Sequence, residues 1–158
     1  MIITWQGKEN FSLKTKNKQV KIGAEICLGD LKISTPGEYE SGGVQVEVID
    51  GTIVLFSEKM TVAWMKKART LSDQELEKLN GIDVLLIGVG GGVFTETKTA
   101  IEVISQIDPK IVIPMYEENL ESFTKEEGIN VEGQEQYKFT ETDLPQEERK
   151  VVILNASR

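Results

Sequence analysis

Two carboxylates and a phenol crowd together in the stretch GEYE, where Glu38 and Glu40 flank Tyr39. A period of two puts both acids on the same side of a strand. Such a pair can hold a hard divalent cation through oxygen, or divide acid and base roles between its members. The second candidate is the glycine run GVGGG at residues 88–92. Glycines permit positive φ and close backbone approach, and free amides at the start of the helix after Thr95 can hold an anion. The run is neither a G-x-G-x-x-G fingerprint nor a phosphate-binding loop, since no Gly-Lys-Ser/Thr follows it.

The residue missing from the chain constrains its chemistry further. There is no histidine among the 158 residues. A Ser-His-Asp triad, a Cys-His dyad and any imidazole proton transfer are therefore excluded. A catalytic zinc site is disfavoured as well, because such sites are built largely on imidazole. The single cysteine, Cys27, cannot form an internal disulfide and has no evident basic neighbour, so it reads as a partly buried, inert thiol. With 26 acids against 18 bases and a net charge of −8, the chain is not expected to bind nucleic acid.

The elements that must position these groups fall into two halves. Residues 2–5, 11–14 and 19–22 are short segments of apolar or alternating character, broken at Gly7, Asn17 and Gly23. The lysine-rich KTKNKQVK (14–21) reads as two strand ends about a turn, with its lysines on the wet side. Val44, Val46 and Val48 alternate with Gln45 and Glu47. Asp50-Gly51 then signals a hairpin into 52–56, and Glu58-Lys59 a turn into 60–65. This is an antiparallel meander with one wet face.

In the second half, Ser72 and Glu75 form a capping box ahead of Leu76 and Leu79, with Gly81 as the helix stop. Residues 83–87 read as a strand covered on both faces. Thr95 is expected to cap a helix carrying Ala100, Ile101, Ile104 and Ile107, which Asp108-Pro109 ends. A strand at 110–114, a helix at 117–127 and strands near 137–139 and 151–154 complete the order, with 139–150 a charged loop. Strand-helix-strand-helix-strand implies a parallel portion with crossover helices. A single domain spanning 1–158 is expected. No apolar run approaches the roughly 20 residues of a membrane span, and no secretory leader is evident, so a reducing cytoplasm is the default.

Several of these pieces resemble the small bacterial ascorbate-lactonase-like hydrolases of the metallo-β-lactamase fold. MIITWQGKENF resembles their opening T-W-x-G-H-S-x-F motif, and TPGEYESGGVQVEVI (35–49) their P-G-E-Y-E-x-x-G-V motif. Residues 71–116, with VGG and PKIVIPM, resemble their C-terminal half most closely. The implied fold is α/β: a metallo-β-lactamase-like αββα sandwich, truncated, with an antiparallel meander followed by β-α-β-α-β units.

Members of that family bind one or two metals through an H-x-H-x-D-H loop, a further histidine, an aspartate in a G-D-L-G-like turn and a histidine after IPM. Here the loop is absent, with only GAEICLGDLKIS standing between Ile22 and Thr35. The aspartate's turn aligns with WMKKAR, placing Lys66 near the metal-bridging position. Tyr116 stands for the histidine after IPM, and Lys8 for the glycine-following histidine of the opening T-W-x-G-H-S-x-F motif.

What the resemblance implies is a catalytically inactive, metal-free relative with no cofactor, acting as a binding or assembly module. Lys8, Lys66 and Tyr116 are expected to converge at the vacated site and neutralise nearby glutamates, with Gly90, Gly91 and Thr95 at its rim. The glycine run then turns a corner that once bordered the site, and GEYE, which the family keeps apart from its ligands, is a structural turn. Three alternatives stand beside this: a small-anion sensor at the glycine loop, a metal hydrolase using Glu25, Asp30, Glu38 and Glu40, and lysine-tyrosine chemistry at Lys66 and Tyr116. A shortened sheet with uncovered surface is expected to self-associate, most simply as a two-fold dimer, or to bind another protein.

Overall fold

Two hairpin turns set the register of the meander. Asp50 and Gly51 take φ values of 36° and 82°, and Glu58 and Lys59 take 53° and 63°. Paired left-handed residues twist a two-residue turn in the sense that flanking strands need. In the computed structural model, which describes residues 1–157, these turns join β7 (Val44–Ile49), β8 (Thr52–Ser57) and β9 (Met60–Met65).

The second half then adds parallel strands to this sheet. α1 (Asp73–Lys78) leads to β10 (Val84–Gly88), α2 (Thr97–Ile107) to β11 (Ile111–Met115), and α3 (Glu121–Glu127) towards β13 (Lys150–Val151). β9, β10, β11 and β13 pair in parallel, as expected of crossover units. With β6 (Gly37–Ser41) at its far edge, this sheet runs β13-β11-β10-β9-β8-β7-β6. The other sheet is antiparallel: β12 (Tyr137–Lys138), β1 (Ile2–Trp5), β2 (Phe11–Lys14), β3 (Gln19–Ile22), β4 (Ile26–Leu28) and β5 (Leu31–Ile33).

Several boundaries differ from expectation, each for a local reason. The bare link expected at 23–34 folds into β4 and β5, because Leu28 and Ile33 reach the core on either side of a turn at Gly29. GEYE is an edge strand rather than a turn. Tyr39 packs against the core, and its hydroxyl donates to the Thr35 carbonyl at 2.7 Å. The third helix begins at Glu121 instead of 117, where the Asn119 side chain accepts from the Ser122 amide at 3.2 Å.

Two apolar layers result. Between the sheets lie Ile3, Phe11, Leu13, Leu55, Val62 and Leu86. On the outer side of the second sheet, Ala100, Val103 and Ile104 of α2 and Phe123 of α3 cover Leu85, Ile87 and Val112. β10 is buried at all five positions because it serves both layers. Burying a side chain such as Leu86 contributes about 1.5–3 kcal/mol. The α-helices described all pack on this second sheet, while Lys14, Lys21, Lys32 and Lys138 stand exposed on the outer side of the first. The sandwich therefore has the expected α/β layering with one helical layer missing. Among the described residues no helix is long and apolar enough to cross a membrane.

Helix α1 shows how its start is fixed. Ser72 Oγ accepts from the Glu75 amide at 3.3 Å, and Glu75 Oε1 accepts from the Ser72 amide at 3.1 Å. Arg69 donates to both oxygens of the same carboxylate, at 2.9 and 2.7 Å. The Arg69 hydrogen bonds, then the Ser72 amide, hold the Glu75 carboxyl down to about 2, against an ordinary 4.5. A depressed acid stabilises the fold above its unfolded pKa, and that contribution fades as pH falls through the folded value. Glu75→Gln is therefore expected to lower stability at pH 7 and to flatten the stability-pH profile between about 4.5 and 2. Urea denaturation at stepped pH values reads both effects.

Candidate functional site

Sequence reasoning points to the rim where β1, β9, β10 and β11 end, and the structure gathers most of the expected residues there. After β1 the chain turns back at Gly7 (φ 90°) and Lys8 (φ 51°). The turn closes with the Gln6 amide on the Asn10 carbonyl at 2.8 Å and the Asn10 amide on the Gly7 carbonyl at 3.1 Å. Two indoles hold it from below. Trp5 Nε1 donates to the Lys8 carbonyl at 2.8 Å, and Trp64 Nε1 donates to the Glu9 carbonyl at 2.9 Å. An indole N–H in a core needs an acceptor, and here the two fix successive carbonyls.

This clamp presents the Glu9 carboxylate to Lys66. Lys66 has the same parity as Trp64 and continues the inward row just past β9. Its ammonium forms an ion pair with Glu9 and lies 5.9 Å from the centroid of the Phe94 ring. The pair is partly sheltered, at 33% and 19% side-chain exposure. It falls between exposed pairs, worth little, and buried ones, whose rupture strands a charge.

The glycine loop closes over the same segment. A Cβ at Gly88 would overlap the Lys66 carbonyl, and one at Gly90 (φ 89°) would strike the Asn119 carbonyl. The Gly91 amide donates to the Thr95 carbonyl at 3.0 Å. Thr95, fully buried, does not cap the helix as expected: α2 starts beyond it at Thr97 without a side-chain cap. Its hydroxyl is spent elsewhere, donating to the Lys66 carbonyl at 3.2 Å and accepting from the Ala68 amide at 2.9 Å. Thr95 thus positions the backbone that carries Lys66.

Tyr116 follows β11 and packs on Trp5, ring centroids 4.7 Å apart. Burial pushes its phenol above the ordinary value of 10, so it stays protonated at neutral pH. Lys8 departs from expectation. Its side chain is exposed and enters no ion pair among the described residues, and only its carbonyl belongs to the site. The reason is its left-handed backbone, which turns the carbonyl onto the indole. Glu9, one residue on, is the turn residue whose side chain enters the site, as the carboxylate that Lys66 neutralises. The missed signal was the pair of tryptophans in core strands, each with an N–H to satisfy.

Cys27 is half-buried, as expected, but it does have basic neighbours: its cross-strand partners are Lys21 and Lys32. Glu25 pairs with Lys32 at 3.5 Å, while Glu38 and Glu40 lie on the other sheet.

Residues 8–116 match the family model described as the beta-lactamase superfamily domain. The chain belongs to this family. Among solved structures it is similar to a Thermotoga maritima protein ascribed to the zinc-dependent hydrolases of the metallo-β-lactamase superfamily. That likeness has a TM-score of 0.79 and 22% identity, and covers 98% of this chain and 100% of the other. It is also similar to Igni18, a metallo hydrolase from Ignicoccus hospitalis, with a TM-score of 0.65, 10% identity, and 88% and 99% coverage. At such identities the likeness carries the fold.

The family implies a metal, and the residues at this rim do not fit one. The acid described here is Glu9, already bound to an ammonium. Among the described residues no group of three or more His, Cys, Asp or Glu is placed to hold a metal ion, and the chain has no histidine.

Two predictions follow from this geometry. In a double-mutant cycle, Lys66→Ala and Glu9→Ala should show a coupling of about 1–2 kcal/mol by chemical denaturation, and less in high salt. Gly92→Ala, with open space around it, should cost about 1–2 kcal/mol from its left-handed backbone alone. Gly90→Ala should cost clearly more, because the same strain adds to a collision with Asn119. Thermal melts of the two variants side by side make the comparison.

Proposed function

We propose that this β-lactamase superfamily domain is a catalytically inactive, metal-free member that serves as a binding or assembly module. The observation that carries the reading is the Lys66–Glu9 pair at the position aligned with a metal-bridging aspartate. A fixed ammonium repels a dication and supplies the positive charge that neighbouring carboxylates would otherwise draw from a metal. A protonated lysine offers no lone pair to zinc. Tyr116, held protonated, is no better as a ligand or base. The lysine-tyrosine alternative loses support for the same reason, since one group is paired and the other neutral.

Self-association is the second part of the proposal. Among the described residues no α-helix covers the outer side of the first sheet, and Phe56 is 45% exposed on the second. Uncovered sheet of this kind favours a partner.

The test is metal analysis of protein produced with zinc and manganese supplied, paired with a lactone and phosphodiester hydrolysis screen. The expected outcome is substoichiometric metal and no turnover above buffer. Stoichiometric metal with metal-dependent turnover would reverse the reading.

A further inference from the structure

Four lysines of this acidic chain, Lys14, Lys21, Lys32 and Lys138, share one face. Along the outer side of the first sheet, cross-strand partners run Lys138–Ile2–Lys14–Gln19 in one row and Ser12–Lys21–Cys27–Lys32 in the next. Strands lie about 4.8 Å apart, so the lysines within a row stand about 10 Å apart. Lys14 and Lys21 are diagonal neighbours. All four are exposed, and one of them, Lys32, has a carboxylate partner among the described residues.

The opposite charge lies on the other outer side of the sandwich. The helical layer covers β9, β10 and β11 and reaches Val54, with α1 against Ile49 and Thr52 at the hairpin end, leaving Glu38, Glu40, Gln45, Glu47 and Phe56 open on the same side. There Glu38 pairs across the strands with Glu47, and Glu40 with Gln45 and then Phe56. These groups line a recess of about 350 Å³ with no cation in its wall. Glutamates on an edge strand alone would serve to repel edge-to-edge pairing. Glu47 lies one strand inside the edge, and two carboxylates directly opposed across strands destabilise the sheet that holds them. None of the three has an ion-pair partner among the described residues. Exposed Phe56 beside them gives the recess an apolar floor.

We infer that the open acidic side of β6–β8 docks the lysine-bearing first sheet of a second copy of this chain. Charge complementarity selects that occupant. Either face packed on itself would set like charges together, so an isologous contact on one face alone is disfavoured. The faces lie on opposite outer sides of the sandwich, so the contact is heterologous and builds head-to-tail assemblies rather than a two-fold dimer. Each contact brings lysines to carboxylates that lack them and covers Phe56. The inference rests on the assembly reading above and names its surface.

The test is sedimentation velocity on the full chain across a wide concentration range, in low and high salt. Wild type should associate at low salt and dissociate near 1 M salt, where screening falls to about 3 Å. A Lys14→Glu/Lys21→Glu variant and a Glu38→Lys/Glu47→Lys variant should each raise the midpoint concentration more than about tenfold. An equal mixture of the two variants should recover association, because a reversed face on one finds a reversed face on the other. Circular dichroism confirms that both variants fold. Association unchanged by the reversals, or not recovered on mixing, overturns this surface while leaving self-association itself standing. A wild-type monomer throughout overturns both, and neither outcome touches the metal analysis.

Discussion

The rim of this domain depends on one ion pair and the two indoles that aim it. Trp5 and Trp64 come from different sheets, and each spends its N–H on a carbonyl of the turn after β1. That ties the two sheets together at this end of the sandwich, beside the Glu9 carboxylate that faces Lys66. Lys66 meets it, with its own carbonyl fixed by Thr95 and its ammonium near Phe94. A metal centre joins loops from several strands by coordination. Here the same loops are joined by an ion pair, indole hydrogen bonds and a threonine hydroxyl, with the Tyr116 ring closing over Trp5.

This accounts for why the fold persists without the family's usual ligands. The central parallel strands β10 and β11 are buried on both faces and are held by apolar packing. The loops at their ends do need fixing, and the glycine run helps. Gly88 and Gly90 let the backbone lie against Lys66 and Asn119 where a side chain could not fit. The run turns a corner and packs: the Val89 amide donates to the Met115 carbonyl at 2.9 Å, and the Gly91 amide to the Thr95 carbonyl at 3.0 Å.

Much of the architecture was legible because short-range chemistry dictated it. Asp50-Gly51 announced a hairpin, Ser72 with Glu75 announced a helix start, and the unbroken apolar run before Gly88 announced a doubly covered strand. The errors arose where tertiary context decided. Nothing local in GAEICLGDLKIS says that Leu28 and Ile33 will find the core and make two more strands. Thr95 looks like a cap in one dimension, and its hydroxyl goes instead to a segment nearly thirty residues earlier. At the rim, family likeness pointed to Lys66, whose ammonium meets Glu9. It chose Lys8 over Glu9, because backbone handedness at that turn is set by an indole that pairing with the motif does not reveal.

The proposed metal-free site holds an ammonium-carboxylate pair where a dication would bind. Diffraction from crystals equilibrated with excess zinc, recorded at the zinc absorption edge, decides it. Lys66 Nζ is expected to remain on Glu9, with no anomalous peak between them and Tyr116. A full-occupancy peak at that position, with Lys66 swung away from Glu9, would contradict it.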